Sequence, residues 1–252
     1  MYLREFDLDM PYVAEEARIN SIMQERQCSR NDATKFDYES YWKDKRRMFR
    51  LETRCMTAMF ERLFEKMKTE DCWKILIECV ETINSESIKN LSGVYCVQVK
   101  LEHNRFTSSD DLAKKQMTLD MLMQGIRIIA REKDWSVEPF ETVCLKMRER
   151  DLENDWIWKK PIKSPNKKYI AELLCRHMVK TIDIYIVLKD KTGNEILREK
   201  IISELPDEFV YTKLLGELKW ISENEVVLVN KKGDNRWSVK LGDEGTGTLS
   251  HQ

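Results

Sequence analysis

The sequence predicts an α+β fold with a helical N-terminal part, a β-α-β unit in the middle and an antiparallel β-meander in the C-terminal part. Three observations carry this. Trp42, Phe49, Met56 and Leu63 recur every seven residues, the spacing of one helix face. After Gly93, apolar residues switch to every second position, Tyr95, Val97, Val99 and Leu101, the spacing of a half-buried strand. Beyond Tyr169, short alternating runs are separated by turn residues, as in successive hairpins.

Taken in order, Val13 to Gln27 is rich in Ala, Glu, Arg, Met and Gln, good helix formers, and Ser29-Arg30-Asn31-Asp32 interrupts it. A long helix is expected from about Asp37 to Lys68, with Tyr41, Met48, Cys55, Met59 and Phe60 flanking the heptad stripe. A shorter helix is expected from Asp71 to Ile83, with Trp73, Leu76, Ile77 and Val80 inward. The strand of the 94–103 segment leads into Thr107–Asp111, an N-cap cluster, and a helix to about Lys133. Phe140 to Met147, with β-branched Thr142 and Val143, reads as a strand that would complete the β-α-β unit.

Trp156 and Trp158 precede Lys159, Lys160, Pro161, Lys163, Pro165, Lys167 and Lys168. This run reads as a connector, which sets the expected parts at 1–158, helix-rich α/β, and 159–241, antiparallel β. In the second part Tyr169–Arg176, Ile182–Lys189 and Glu195–Ile202 are strands, Leu205-Pro206-Asp207-Glu208 starts a short helix, and Leu218–Ile221, Val226–Asn230 and Trp237–Leu241 form the meander. Segment 242–252, with three glycines, is expected to be a disordered tail.

Composition narrows the function classes. Of 252 residues 35% are charged, yet the net charge is −1, so no global basic excess points to nucleic acid. Seven cysteines, an odd number without CxxC spacing, read as buried free thiols. The charged start Met1–Asp7 and the lack of any apolar run of ~18 residues predict a cytoplasmic protein with no membrane segment. No phosphate loop, dinucleotide fingerprint, nucleophile elbow or HExxH string occurs. No cofactor and no metal site are expected, and nothing in the sequence sets an oligomeric state.

Histidine supplies most acid–base chemistry near neutral pH, and there are three. His103 follows a strand and precedes a helix, a common ligand position in α/β sheets. With Arg105 and Asp110 it forms the candidate set if the chain is an enzyme. Cys175 and His177, two apart on a strand, share one face and form a weaker thiol–imidazole candidate. Trp156, Trp158, Lys159 and Lys160 form a candidate binding segment, since aromatics beside lysines suit either a protein hot spot or single-stranded nucleic acid. The profile leans away from an enzyme. It fits a non-catalytic interaction module with a protein partner, of the kind an immunity protein or antitoxin-like inhibitor represents. An enzyme with a site near the end of the 94–103 strand is the first alternative. A nucleic-acid-associated protein using segment 156–168 is the second.

Overall fold

The computed structural model describes residues 1–242 and 247–251. The chain is α+β and divides into two compact units, Met1–Leu152 and Glu153–Gln252.

The first unit runs β1 (Tyr2–Leu3), β2 (Glu5–Asp9), α1 (Glu16–Arg26), α2 (Arg30–Asp37), a π-helical turn (Tyr38–Trp42) and α3 (Lys43–Leu63). It continues with β3 (Met67–Lys68), β4 (Lys74–Val80), β5 (Lys89–Leu91), β6 (Val94–Lys100), α4 (His103–Ser108), α5 (Asp111–Lys133) and α6 (Glu138–Arg148). Its main sheet has the order β2-β4-β6-β5. β2, β4 and β6 are parallel, and β5 is antiparallel to β6. The β5–β6 hairpin closes through Ser92 and Gly93, both at positive φ (54° and 86°), the geometry that matches strand twist in a two-residue loop.

Three helices pack with this sheet and with one another: α3 against β2, α5 against β2, β4 and β6, and α6 against α3 and α5. The core is aromatic at its centre. The Phe6 ring meets Phe60 and Phe64 edge-on at 4.8 and 5.0 Å, and Phe64 stacks on Phe140 at 5.1 Å. Gly125 lets α5 come close to β4. A Cβ there would stand 2.1 Å from Ile77 Cδ1, and Ile77 is fully buried. Gly125→Ala is therefore expected to destabilise by about 1–3 kcal/mol through overpacking, read as a lower urea midpoint at unchanged slope.

Several expectations need correction. Residues 71–83 are not a helix; they contain β4. Ile75, Ile77 and Cys79 are buried while Lys74, Leu76 and Glu78 are only partly so, a strand period of two, and residues 73, 76, 77 and 80 mimic helical spacing by coincidence. Residues 140–147 are not a strand but lie in α6. Pro139 sits in its first turn, and Phe140, Val143, Cys144 and Met147 are buried, the i, i+3, i+4, i+7 pattern of a helix. Packing overrides the β preference of Thr142 and Val143. Parallel pairing therefore comes from β2, β4 and β6, not from a unit closed by 140–147. Ser29 does more than interrupt: it caps α2, accepting from Asp32 N at 3.2 Å. The expected 37–68 helix is divided by the π turn and ends at Leu63.

The second unit contains β7 (Asp155–Lys163), β8 (Tyr169–His177), β9 (Ile182–Asp190), β10 (Glu195–Glu204), α7 (Glu208–Tyr211), β11 (Glu217–Trp220), β12 (Glu225–Val229), β13 (Arg236–Leu241) and β14 (Gly247–His251). Two four-stranded antiparallel sheets, β10-β9-β8-β7 and β11-β12-β13-β14, enclose one core of Leu173, Ile184, Ile186, Val226, Leu228 and Val239 with their neighbours. The unit boundary falls before Trp156, not after Trp158, because the supposed connector is strand β7. Its register with β8 breaks between Trp158 and Ile162, where Lys159 takes φ 59°. Such an irregularity at the end of a sheet is where a strand tolerates proline, here Pro161. The expected disordered tail is corrected in part: Gly247–His251 pairs with β13. Residues 243–246 and 252 lie outside the described residues.

Candidate functional site

Parallel strands end together, and their carboxyl ends leave a crevice where α/β proteins commonly bind ligands. In the first unit Met10, Val80 and Leu101 follow or end β2, β4 and β6, and they line a cleft of about 380 Å³. The opposite wall comes from Glu15 and Arg18 near the start of α1, Tyr41 and Trp42 of the π turn, and Lys45 of α3. A π turn inserts an extra residue and often marks a functional position. Here it brings two consecutive aromatic residues to one cleft. Trp42 is fixed by its indole N–H, which donates to Met10 O at 3.2 Å. Tyr41 is left 50% exposed.

Two ion pairs brace the cleft. The Asp9 carboxylate at the end of β2 accepts from Arg46 Nε at 2.8 Å and Nη2 at 2.5 Å, and from Met10 N at 2.9 Å. Asp37 is fully buried. It accepts from Arg18 through two guanidinium nitrogens and from the Tyr12 hydroxyl at 2.7 Å. The Arg18 guanidinium holds the Asp37 carboxyl below its ordinary value. Burial, and then the neighbouring Asp37 carboxylate, pushes the Tyr12 phenol up to about 12. Because the folded value of Asp37 is depressed, its stabilising contribution is complete above its unfolded value of about 4 and is lost as pH falls through the lower folded value. Asp37→Asn is expected to lower stability at pH 7 and to shrink the loss between pH 7 and the acid limit, as measured by urea melts at each pH.

A second depression, about 310 Å³, adjoins the first. Met48, Phe49 and Phe106 give it apolar walls, and Lys45 and His103 line both depressions. Burial lowers the His103 pKa, and the Lys45 ammonium adds to this, while Glu81 and Glu52 oppose it. Burial therefore favours the uncharged form of this imidazole. Glu52, also in this lining, meets Lys114 Nζ at 2.9 Å. Both are buried, at 8% and 4% exposure.

Of the residues singled out from sequence, His103 lies in the cleft, as the first residue of α4. Arg105 does not; it is largely exposed and its nearest acid is Glu102, at 3.7 Å. Asp110 instead caps α5, accepting from Ala113 N at 2.8 Å. The structure does not bring the three together. Trp156 and Trp158 pack against the core of the second unit. The Lys159 ammonium lies 4.1 Å from the Trp158 ring centroid and donates to Gly216 O at 3.2 Å, while Lys160 is exposed. Cys175 and His177 do share a face of β8, but it is the buried one. The His177 ring stands 6.4 Å from that of Trp156 and 6.1 Å from that of Tyr211.

No family model matches the chain, and no curated protein and no solved structure matches it either. The site must be read from its own geometry. Among the described residues no group of three or more His, Cys, Asp or Glu side chains is arranged to hold a metal ion, and no helix is long and apolar enough to cross a membrane. Sequence reasoning missed Arg18, Tyr41, Trp42 and Lys45 as site residues. No signal in the sequence set them apart: Tyr41 and Met48 flank the heptad stripe, where an apolar residue reads as core, and the structure leaves them about half exposed, 50% and 51%.

Proposed function

We propose that the protein acts by non-covalent recognition of a partner protein, in the manner of an immunity protein or antitoxin-like inhibitor, and that the concave face of the first unit is its docking surface. The observation that carries this reading is the pair of adjoining depressions sharing Lys45 and His103, framed by Tyr41, Trp42 and Met48. Tyr, Trp and Met are the residue types enriched at interface centres. His103 has no carboxylate hydrogen-bonded to its ring among the described residues, so the arrangement offers recognition more readily than an oriented acid–base pair. A cytoplasmic place of action is supported by seven cysteines, none of them in a disulfide among the described residues, a state a reducing compartment preserves.

The test begins with the full chain, tagged in its native host, and continues with the purified partner. Tyr41→Ala and Met48→Ala, both at exposed positions, are expected to weaken binding by about tenfold each in calorimetry. Unchanged affinity for both variants would overturn the assignment of this surface.

A second reading, a small-ligand or catalytic site in the same cleft, is favoured by its position at the carboxyl ends of parallel strands and by an imidazole whose burial favours the uncharged form. It requires a small molecule retained by the native protein in mass spectrometry and lost in His103→Ala. The nucleic-acid alternative has less support, since Trp156 and Trp158 turn toward the core of the second unit and leave only part of each ring for stacking.

A further inference from the structure

Lysines of the second unit gather where three of its segments meet. Lys159 Nζ donates to Gly216 O at 3.2 Å. Gly216 lies so close to β12 that a Cβ there would overlap the Val229 and Asn230 carbonyl oxygens. Lys231 N donates to Lys213 O at 3.0 Å. These contacts join the irregular stretch of β7, the segment before β11 and the turn between β12 and β13. Lys159, Lys160, Lys213, Lys231 and Lys232 belong to these segments, and all five are exposed. The acids there are few. Along 158–161, 211–220 and 229–236 they are Glu217, which pairs with Lys219 at 3.2 Å, and Asp234, which accepts from Asn230 Nδ2 at 2.6 Å. With Lys219 and Arg236, seven basic residues share these stretches with two acids, in a chain whose net charge is −1. Charge so segregated is a local electrostatic footprint.

The residue types indicate what it attracts. Six of the seven are lysines. Lysine is depleted at protein–protein contacts, where Arg and aromatic residues are enriched, and it acts as a point charge toward phosphate. The neighbouring rings are occupied: the Lys159 ammonium lies 4.1 Å from the Trp158 centroid, and Trp220 stacks with Tyr169 and donates to Ile162 O. Charge without free stacking faces suits a duplex better than a single strand. We infer that this surface of the second unit binds the phosphate backbone of a double-stranded nucleic acid without reading its sequence, through Lys160, Lys213, Lys231 and Lys232. The surface belongs to the second unit alone, so the inference does not rest on the docking reading of the first.

Fluorescence anisotropy of the full chain with labelled, mixed-sequence DNA and RNA duplexes of about 20 base pairs is the test. At about 50 mM salt a dissociation constant of about 10 µM is expected, rising with salt at a log–log slope of about 3 to 4, as for some four phosphate contacts. Lys231→Gln combined with Lys232→Gln, on an exposed turn, should weaken binding about tenfold and lower the slope by about 2, with the melting temperature unchanged. Lys89→Gln combined with Lys100→Gln, at exposed lysines of the first unit, makes the same change in net charge and should leave binding as it was. A preference for either duplex upholds the inference and names the nucleic acid; equal binding upholds contact through phosphates alone. No binding up to about 100 µM at about 50 mM salt, equal losses in the two double variants, or tighter binding of a single strand would overturn it. So would binding to polyglutamate or to phosphatidylserine vesicles as tight as to either duplex, which would assign the surface to an acidic protein or to a membrane.

Discussion

Glu52→Ala is expected to lower the stability of the first unit by about 3–5 kcal/mol, because it strands a buried ammonium. Lys114 is only 4% exposed, and its Nζ lies 2.9 Å from Glu52 Oε2. The nearest compensation is the Phe106 ring face, 5.5 Å from the ammonium, and a cation–π contact at that distance replaces only part of an ion pair. The signature is in the pairwise comparison. Glu52→Leu combined with Lys114→Met should recover most of the loss, since a well-packed apolar pair of similar volume often matches a buried ion pair. Hydrogen exchange of α3 and α5 amides in the full chain, which isolates the first unit from the second, is the measurement. A single Glu52→Ala variant as protected as the parent protein would show that water reaches Lys114 at no cost.

Phe6→Ala is expected to cost about 3–5 kcal/mol, for a different reason. The ring is fully buried at the meeting point of β2, α3 and α6, with Phe60, Phe64 and Phe140 centroids at 4.8, 5.0 and 6.2 Å. Removing it leaves a cavity walled by three aromatic rings, which can close only if α3 or α6 shifts against the sheet. Phe6→Leu, which keeps most of the volume, should lose less. A loss below about 1 kcal/mol in the same exchange experiment would mean that the three rings re-pack freely, contrary to a close-packed core.

The helical stripe of α3 was legible because Phe49, Met56 and Phe60 obey one period and are all buried. The meander was legible because its turns carry their own chemistry. In the Asp190–Asn194 turn, one carboxylate accepts from Thr192 N and Asn194 N at 2.8 and 3.0 Å, an arrangement Asp favours. β4 was not legible, because Leu76 and Val80 on its less buried face join Trp73 and Ile77 in a helical spacing that masks the alternation of Ile75, Ile77 and Cys79. α6 was not, because two β-branched residues outweighed a correct four-position pattern. At the site, His103 was found from its place after a strand. Arg105 and Asp110 were grouped with it by nearness in sequence, yet the turn of α4 and the cap of α5 carry them elsewhere. Tyr41 and Trp42 escaped because the π turn shifts the helical phase by one residue, and no period in the sequence marks that shift.

The β2–β4 pairing has a consequence for synthesis. Glu5 stands beside Lys74 and Asp9 beside Glu78, so the first central strand meets its neighbour only after α1, α2 and α3 have been made. On the ribosome the emerging chain holds Phe6 and Leu8 without a ladder until β4 leaves the exit tunnel. Contacts of such sequence separation form late and slowly. The nascent first unit therefore cannot assemble its main sheet before β4 has emerged, and Phe6 and Leu8 wait for their strand partner until then.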